Sequence, residues 1–193
     1  MRTALLELSD EQKRFLRSDG HSLVQGGPGS GKTTVAILKA DSLVQEILHS
    51  SQKILFLSFA RATVSRVIEA VDEHASDSLD IRKSIIVDTY HSFFWRLIRA
   101  HGYLLGLPRQ LEILLPTGEA IALAPIRNEY GPMKDLTAAE IAEMDRRESA
   151  ELRRLAFEEG YVCFGMFAEL AAELLRRGGR IRSVVSSAFP VII

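Results

Sequence analysis

The stretch His21–Leu38, HSLVQGGPGSGKTTVAIL, decides the fold. HSLVQ is a short apolar run leading straight into glycines, which predicts a buried strand. From Thr33 onward, Val35, Leu38, Leu43, Ile47 and Leu48 recur at roughly helical spacing. Between the two, Gly26–Thr33 fits the pattern G-x-x-x-x-G-K-[ST] in full. Strand, glycine-rich loop and helix, in that order, are the parts a phosphate cradle needs. Gly27, Gly29, Ser30 and Gly31 let the backbone wrap closely around phosphate groups, and the N–H groups at the helix start, through Thr34, point at them. Lys32 would reach the terminal phosphates, and the Thr33 hydroxyl would hold a magnesium ion. The alternative is a glycine-rich turn that only caps a helix. The complete match in its proper context favours a nucleotide site.

Working outward, the chain of 193 residues is long enough for one good core, or one domain with a sizeable insertion. Hydrophobic residues at 47% and charged residues at 25% fit a globular protein and argue against disorder. The net charge of −1 gives no global attraction to a polyanion, so any such binding requires a local patch. The single cysteine, Cys163, flanked by Val162 and Phe164, reads as a small buried hydrophobe and excludes an internal disulfide. No apolar run reaches signal-peptide or membrane-spanning length. A cytoplasmic setting without membrane contact is the expectation.

Before the loop, LSDEQKRFL carries Ser9 and Gln12 as a capping box that starts a short helix. After it, KILFLSF predicts a second strand and ATVSRVIEAVDEHA a helix. SIIVDTYHSF repeats the theme, running into the helical FFWRLIRAHG, where Phe93, Phe94 and Trp95 read as core. Strands alternating with helices predict an α/β fold built on a parallel sheet flanked by helices. Beyond Gly102, four prolines (Pro108, Pro116, Pro125, Pro132) predict loop, with a small hairpin turning at PTGE. Thr137 and Glu140 form a second capping box for a long solvated helix that stops at Gly160. A further helix ends at Gly178, and SVVSSAFPVII returns to strand character.

A phosphate-loop enzyme also needs an acid on the magnesium side, normally at the end of a neighbouring apolar strand. SIIVD ends at Asp88, which suits either that role or the capping of the next helix. It is followed by Thr89, Tyr90 and His91, and not by a second carboxylate.

The order of these motifs resembles the UvrD/Rep-like superfamily 1 DNA helicases from Leu8 to Phe93. LSDEQ is similar to their adenine-reading motif, GGPGSGKTT to their phosphate loop, FLSFARAT to a DNA-contacting motif, and VDTYHSF to their Thr-aromatic-His-Ser motif. The resemblance implies a P-loop, RecA-like parallel sheet flanked by helices with a mainly helical insertion. Residues 1–102 would form the main part of the ATP-binding domain, 103–182 the insertion and 183–193 the returning strand. It also implies ATP and Mg2+ as cofactors. Gln12 would read the adenine edge, beside its capping-box reading. Phe59 would stack a base of single-stranded DNA, or else be a core aromatic at a strand end. Arg61 would meet a phosphate, and Thr89 and His91 would face the DNA or link it to the nucleotide site, His91 having packing against its aromatic neighbours as the alternative. Where the family has Asn-Lys, this chain has Arg61 and Ala62, a departure that alters the polar contacts there. The family's Asp-Glu motif would follow Ile193, so these 193 residues would hold a nucleotide without splitting it. The remainder would supply a second RecA-like domain. Two other readings stand beside the helicase: a UvrD-like ATPase or sensor acting with a nuclease or repair partner, and a kinase-type enzyme using Asp88.

Overall fold

The computed structural model describes residues 8–46, 49, 51–74 and 83–193. Ile47, Leu48 and Ala75, assigned to helices above, lie outside them. Contacts divide the chain into two units: Met1–Thr89 with Val185–Ile193, and Tyr90–Val184. The division falls before the helix that the sequence reading places in the first domain, whose expected boundary was residue 102.

The first unit is α/β. Helix α1 (Asp10–Arg17) opens with the expected capping box: the Ser9 hydroxyl accepts from the Gln12 N–H, and the Gln12 carbonyl oxygen accepts from the Ser9 N–H. Helix α2 (Lys32–Glu46), strand β1 (Ile54–Ser58), helix α3 (Arg61–His74) and strand β2 (Ile85–Thr89) follow. Strand β5 (Val191–Ile192) returns from the far end of the chain. The sheet order is β2-β1-β5 and both pairings are parallel, with Ile54 opposite Ile85 and Val191. Ile37 and Ala40 of α2, Ile54 and Phe56 of β1, Val67 and Val71 of α3 and Ile85 of β2 form one buried cluster. Apolar side chains on both helices thus face strands that begin with apolar residues, as parallel strands require, while Ser58, Asp88 and Thr89 stand at their C-terminal ends.

Two expectations are corrected here. Residues 21–25 form no strand: they carry no regular structure and are exposed, Leu23 by 84%. An apolar run becomes a strand only when a neighbour completes its ladder, and no described strand does so. The C-terminal run is a strand only at Val191–Ile192, because Ser183–Ala188 belong to a helix. That helix is favoured locally by the Ser183 hydroxyl donating to the Gly179 carbonyl and by burial of Ile181.

The second unit is mainly helical, with helices α4 (Tyr90–His101), α5 (Pro116–Arg127), α6 (Ala138–Arg154), α7 (Phe167–Arg177) and α8 (Gly179–Ala188), the last crossing into the first unit. Two short parallel strands, β3 (Glu112–Leu114) and β4 (Tyr161–Cys163), pair beside them. Helix α7 buries Phe167, Leu170, Ala171 and Leu174, the i, i+3, i+4, i+7 stripe of a core-facing helix, and packs on α4. Phe93 is buried there and Trp95 stacks on Phe167 at 5.2 Å between ring centroids. The buried Cys163 thiol is pushed up from its usual pKa by desolvation.

PTGE is not a hairpin turn but the first turn of α5. Pro116 occupies the helix start, where its missing N–H costs nothing, and Leu123 anchors the helix in the core. Helix α6 begins at the Thr137–Glu140 capping box as expected, and Gly160 ends the turn that follows it at φ +84°. Among the described residues no helix is long and apolar enough to cross a membrane.

Two predictions follow from this packing. A Cβ at Gly160 would lie 2.4 Å from the Gln110 carbonyl oxygen in a conformation that L-residues avoid, so Gly160→Ala should destabilise the chain by more than about 1 kcal/mol in chemical denaturation. Arg127 and Arg147 hold Glu148 and Glu129 below the usual carboxylate range through their hydrogen bonds. A depressed carboxylate stabilises the fold above its unfolded pKa, and that contribution disappears as pH falls through the folded value. The melting temperature should therefore drop on acidification below about pH 4, and less steeply in Arg127→Ala.

Candidate functional site

The loop between residue 25 and α2 brings together most of the residues singled out for nucleotide binding. Gly29 and Gly31 lie at φ +76° and +77°. At Gly31 a Cβ would also approach the Gln12 amide nitrogen to 3.2 Å, so the backbone turns into α2 along a path open to glycine. The Val35 N–H donates to the Gly31 carbonyl at 2.9 Å and locks the first turn of α2. Lys32 is exposed, and its ammonium donates to the carbonyl oxygens of Gly26 and Gly27, both at 2.7 Å, and to the Ser30 hydroxyl at 3.3 Å. Three donors meet three acceptors. No acidic residue occupies the first turn of α2, so its positive dipole end is uncompensated by side chains. Thr33 stands exposed on that turn and Thr34 is half-buried beside it.

Gln12 ties α1 to the loop. Its amide nitrogen donates to the Ser30 carbonyl at 3.2 Å while its oxygen accepts from the Ser9 N–H at 2.9 Å. A carboxamide has two N–H donors and two acceptor lone pairs. One of each remains, the pair that an adenine edge needs, so the capping role and the adenine role are compatible. Further along, the Lys39 ammonium of α2 donates to the carbonyls of Leu16 and Ser18, satisfying the end of α1.

An open cleft of about 790 Å3 lies between α1 and the loop, bordered by Gln12, Phe15, Leu23, Val24, Gly26 and Lys32. It combines an apolar wall, an amide and a cation. Phe15 and Lys39 were missed in the sequence reading; Phe15 was legible as the residue one helical turn from Gln12, whereas Lys39 gave no local signal. These donors and the cleft fit a nucleotide with its magnesium ion. Among the described residues no cluster of three His, Cys, Asp or Glu could hold a metal by itself.

The other candidates sit at the C-terminal ends of β1 and β2. Ser58 pairs with Thr89 in register, so Phe59, just beyond Ser58, and Thr89 share one edge of the sheet. That is the edge where open parallel sheets bind ligands. Phe59 is 83% exposed, which removes its core-aromatic alternative, and Arg61 is exposed at the start of α3. Asp88 is half-buried and accepts from the Thr89 N–H at 2.8 Å. His91 belongs to the second unit, where its exposed ring meets Phe164 edge-on at 5.8 Å.

Residues 8–173 match the family model described as the UvrD/REP helicase N-terminal domain. The chain belongs to that family. Among curated relatives, the ATP-dependent DNA helicase PcrA of Leuconostoc citreum is 26% identical over 152 residues, covering 74% of this chain and 20% of its own length. The ATP-dependent DNA helicase PcrA of Staphylococcus aureus is 26% identical over 131 residues, covering 67% and 18%. An ATP-dependent helicase/nuclease protein of Exiguobacterium sibiricum is 32% identical over 124 residues, covering 56% and 10%. The chain thus spans a fifth or less of the length of these relatives.

The geometry at Gln12 makes a specific prediction. Gln12→Ala should leave triphosphate binding measurable but erase a preference for ATP over GTP in fluorescent-nucleotide titrations. A preference that survives the substitution would assign base recognition elsewhere.

Proposed function

We propose that this chain is the nucleotide-binding N-terminal part of an ATP-dependent DNA helicase or translocase with a RecA-like P-loop fold. The observation that carries the reading is Lys32, whose ammonium is folded onto the oxygens of a glycine-rich loop at the start of α2. A phosphate group offers oxygens of the same kind with full negative charge, so it would replace the loop carbonyls as acceptors. In this reading Lys32 holds the terminal phosphates, Gly27, Gly29, Ser30, Gly31 and Thr34 line the cradle, Thr33 offers its hydroxyl to Mg2+, and Gln12 orients the adenine. Phe59 stacks a base of single-stranded DNA, Arg61 meets a backbone phosphate, and Thr89 and His91 line the strand's path. Family membership supports this over a kinase-type use of Asp88. A nuclease partner draws support only from the name of one relative.

Hydrolysis needs a positioned base, worth about 10²–10⁴-fold, and an arginine finger, worth about 10³–10⁵-fold. Within residues 1–193 no Asp-Glu pair follows an apolar strand. The chain by itself therefore binds nucleotide and turns it over at background.

Titration with a fluorescent ATP analogue and Mg2+ tests the reading. Binding should saturate in the wild type and vanish in Lys32→Ala, with phosphate release at the same baseline in both. Phe59→Ala should weaken single-stranded DNA binding by about 1–3 kcal/mol and leave nucleotide binding unchanged. Equal nucleotide affinity in Lys32→Ala would remove the assignment, and phosphate release above that baseline, indifferent to DNA and abolished by Asp88→Asn, would favour the kinase-type alternative.

A further inference from the structure

Helix α1 carries two borders of the candidate nucleotide cleft, Gln12 and Phe15. Three residues apart, they share one face of the helix. Yet α1 places none of its eight residues in the core, so burial of apolar surface does not by itself fix where that face stands. Among the described residues, the side-chain hydrogen bonds that tie α1 to the rest of the unit stand at its two ends. At the start, the Gln12 amide donates to the Ser30 carbonyl of the loop at 3.2 Å. At the far end, the Lys39 ammonium of α2 donates to the carbonyls of Leu16 and Ser18 at 2.8 and 2.7 Å. Carbonyls there lack partners within the helix, and a cation complements the negative end of the dipole. Lys39 stands seven residues beyond Lys32, close to two full turns of α2, so the two side chains leave the same side of that helix roughly 10 Å apart along its axis. Lys32 is exposed, whereas Lys39 is half-buried and does not border the cleft. The helix that carries the phosphate-facing lysine thus also holds the far end of the helix that carries the base-facing amide.

We propose that Lys39 is a positioning residue: by holding the C-terminal end of α1 against α2 it sets where Gln12 stands, and so how well the cleft distinguishes adenine from guanine. This role rests on the nucleotide-binding reading above and assigns part of the base selectivity to a side chain outside the cleft. Lysine suits it because one ammonium on a long stem satisfies two carbonyl oxygens at once. Without that tie, α1 keeps its hydrogen bond to the loop only through Gln12, the same amide that must meet the base. A displacement of about 1 Å takes the remaining donor and acceptor of Gln12 out of reach of a base edge, since hydrogen bonds weaken steeply with distance and angle. Discrimination between bases then falls, while Lys32 and the loop, joined directly to α2, keep their hold on phosphates. A lysine that merely capped α1 would stabilise the helix without bearing on the base.

The test is displacement of a fluorescent ATP analogue from the full chain, with Mg2+ throughout, by ATP, by GTP and by inorganic tripolyphosphate. Lys39→Met keeps the stem and removes the charge. It should cut the ratio of ATP to GTP affinity by about fivefold, the worth of one hydrogen bond, and leave tripolyphosphate affinity unchanged. Lys39→Arg, which still offers donors to both carbonyls, should keep most of the ratio. In a Gln12→Ala background Lys39→Met should cost nothing further, because the lysine acts through the glutamine. Without nucleotide, amide exchange in Lys39→Met should quicken in α1 and stay unchanged in β1. An unaltered ratio in Lys39→Met, with Gln12→Ala still lowering it, would overturn the positioning role and leave the base reading standing. An equal loss of tripolyphosphate affinity would also overturn it, since Lys39 would then only support the fold. A wild type that binds no nucleotide, or whose preference survives Gln12→Ala, would overturn the underlying reading together with this role.

Discussion

A lysine ammonium in a folded protein needs oxygen acceptors, and the placement of Lys32 depends on a loop that can supply them. Carbonyls at Gly26 and Gly27 can turn toward one point because the loop passes through the left-handed region at Gly29 and Gly31 before entering α2. Gln12 then fixes α1 against the loop through Ser30, and Lys39 fixes the other end of α1 against α2. Helix α2 in turn contributes Ile37 and Ala40 to the core on β1. The geometry of the candidate site and the packing of the first unit are therefore linked through one helix. A change in what Lys32 holds would be felt at Gln12 through the loop it shares.

What could be read from the sequence was what is decided locally. Both capping boxes, Ser9 with Gln12 and Thr137 with Glu140, depend on residues three apart and formed as expected. So did the parallel pairing of β1 and β2, which strands alternating with helices imply. The failures came where a local signal has two physical meanings. Proline and glycine in PTGE fit a turn, but a proline also fits the first position of a helix, and burial of Leu123 selects the helix. Val184 and Val185 favour strand, yet the segment from Gly179 is helical with Ile181 as its core contact. The run HSLVQ needed a neighbour that its own residues cannot specify. At the site, the loop and Gln12 were legible from spacing, whereas Lys39 was not, since its partners lie more than twenty residues away in sequence.

Ion pairs recur within the second unit. Arg127 and Glu148, Arg147 and Glu129, and Arg154 with Glu151 and Glu159 form exposed pairs that join or brace its helices. Each such pair contributes little by itself in water.

The central claim is that Gly26–Thr34 cradles nucleotide phosphates while Gln12 reads the base. Hydrogen–deuterium exchange with and without ATP and Mg2+ tests this most directly, since it reports protection amide by amide. The account predicts slowed exchange at the loop amides from Gly27 to Thr34 together with the first turn of α1, and little change in α5 and α6. Protection absent from the loop, or confined to the second unit, would contradict it.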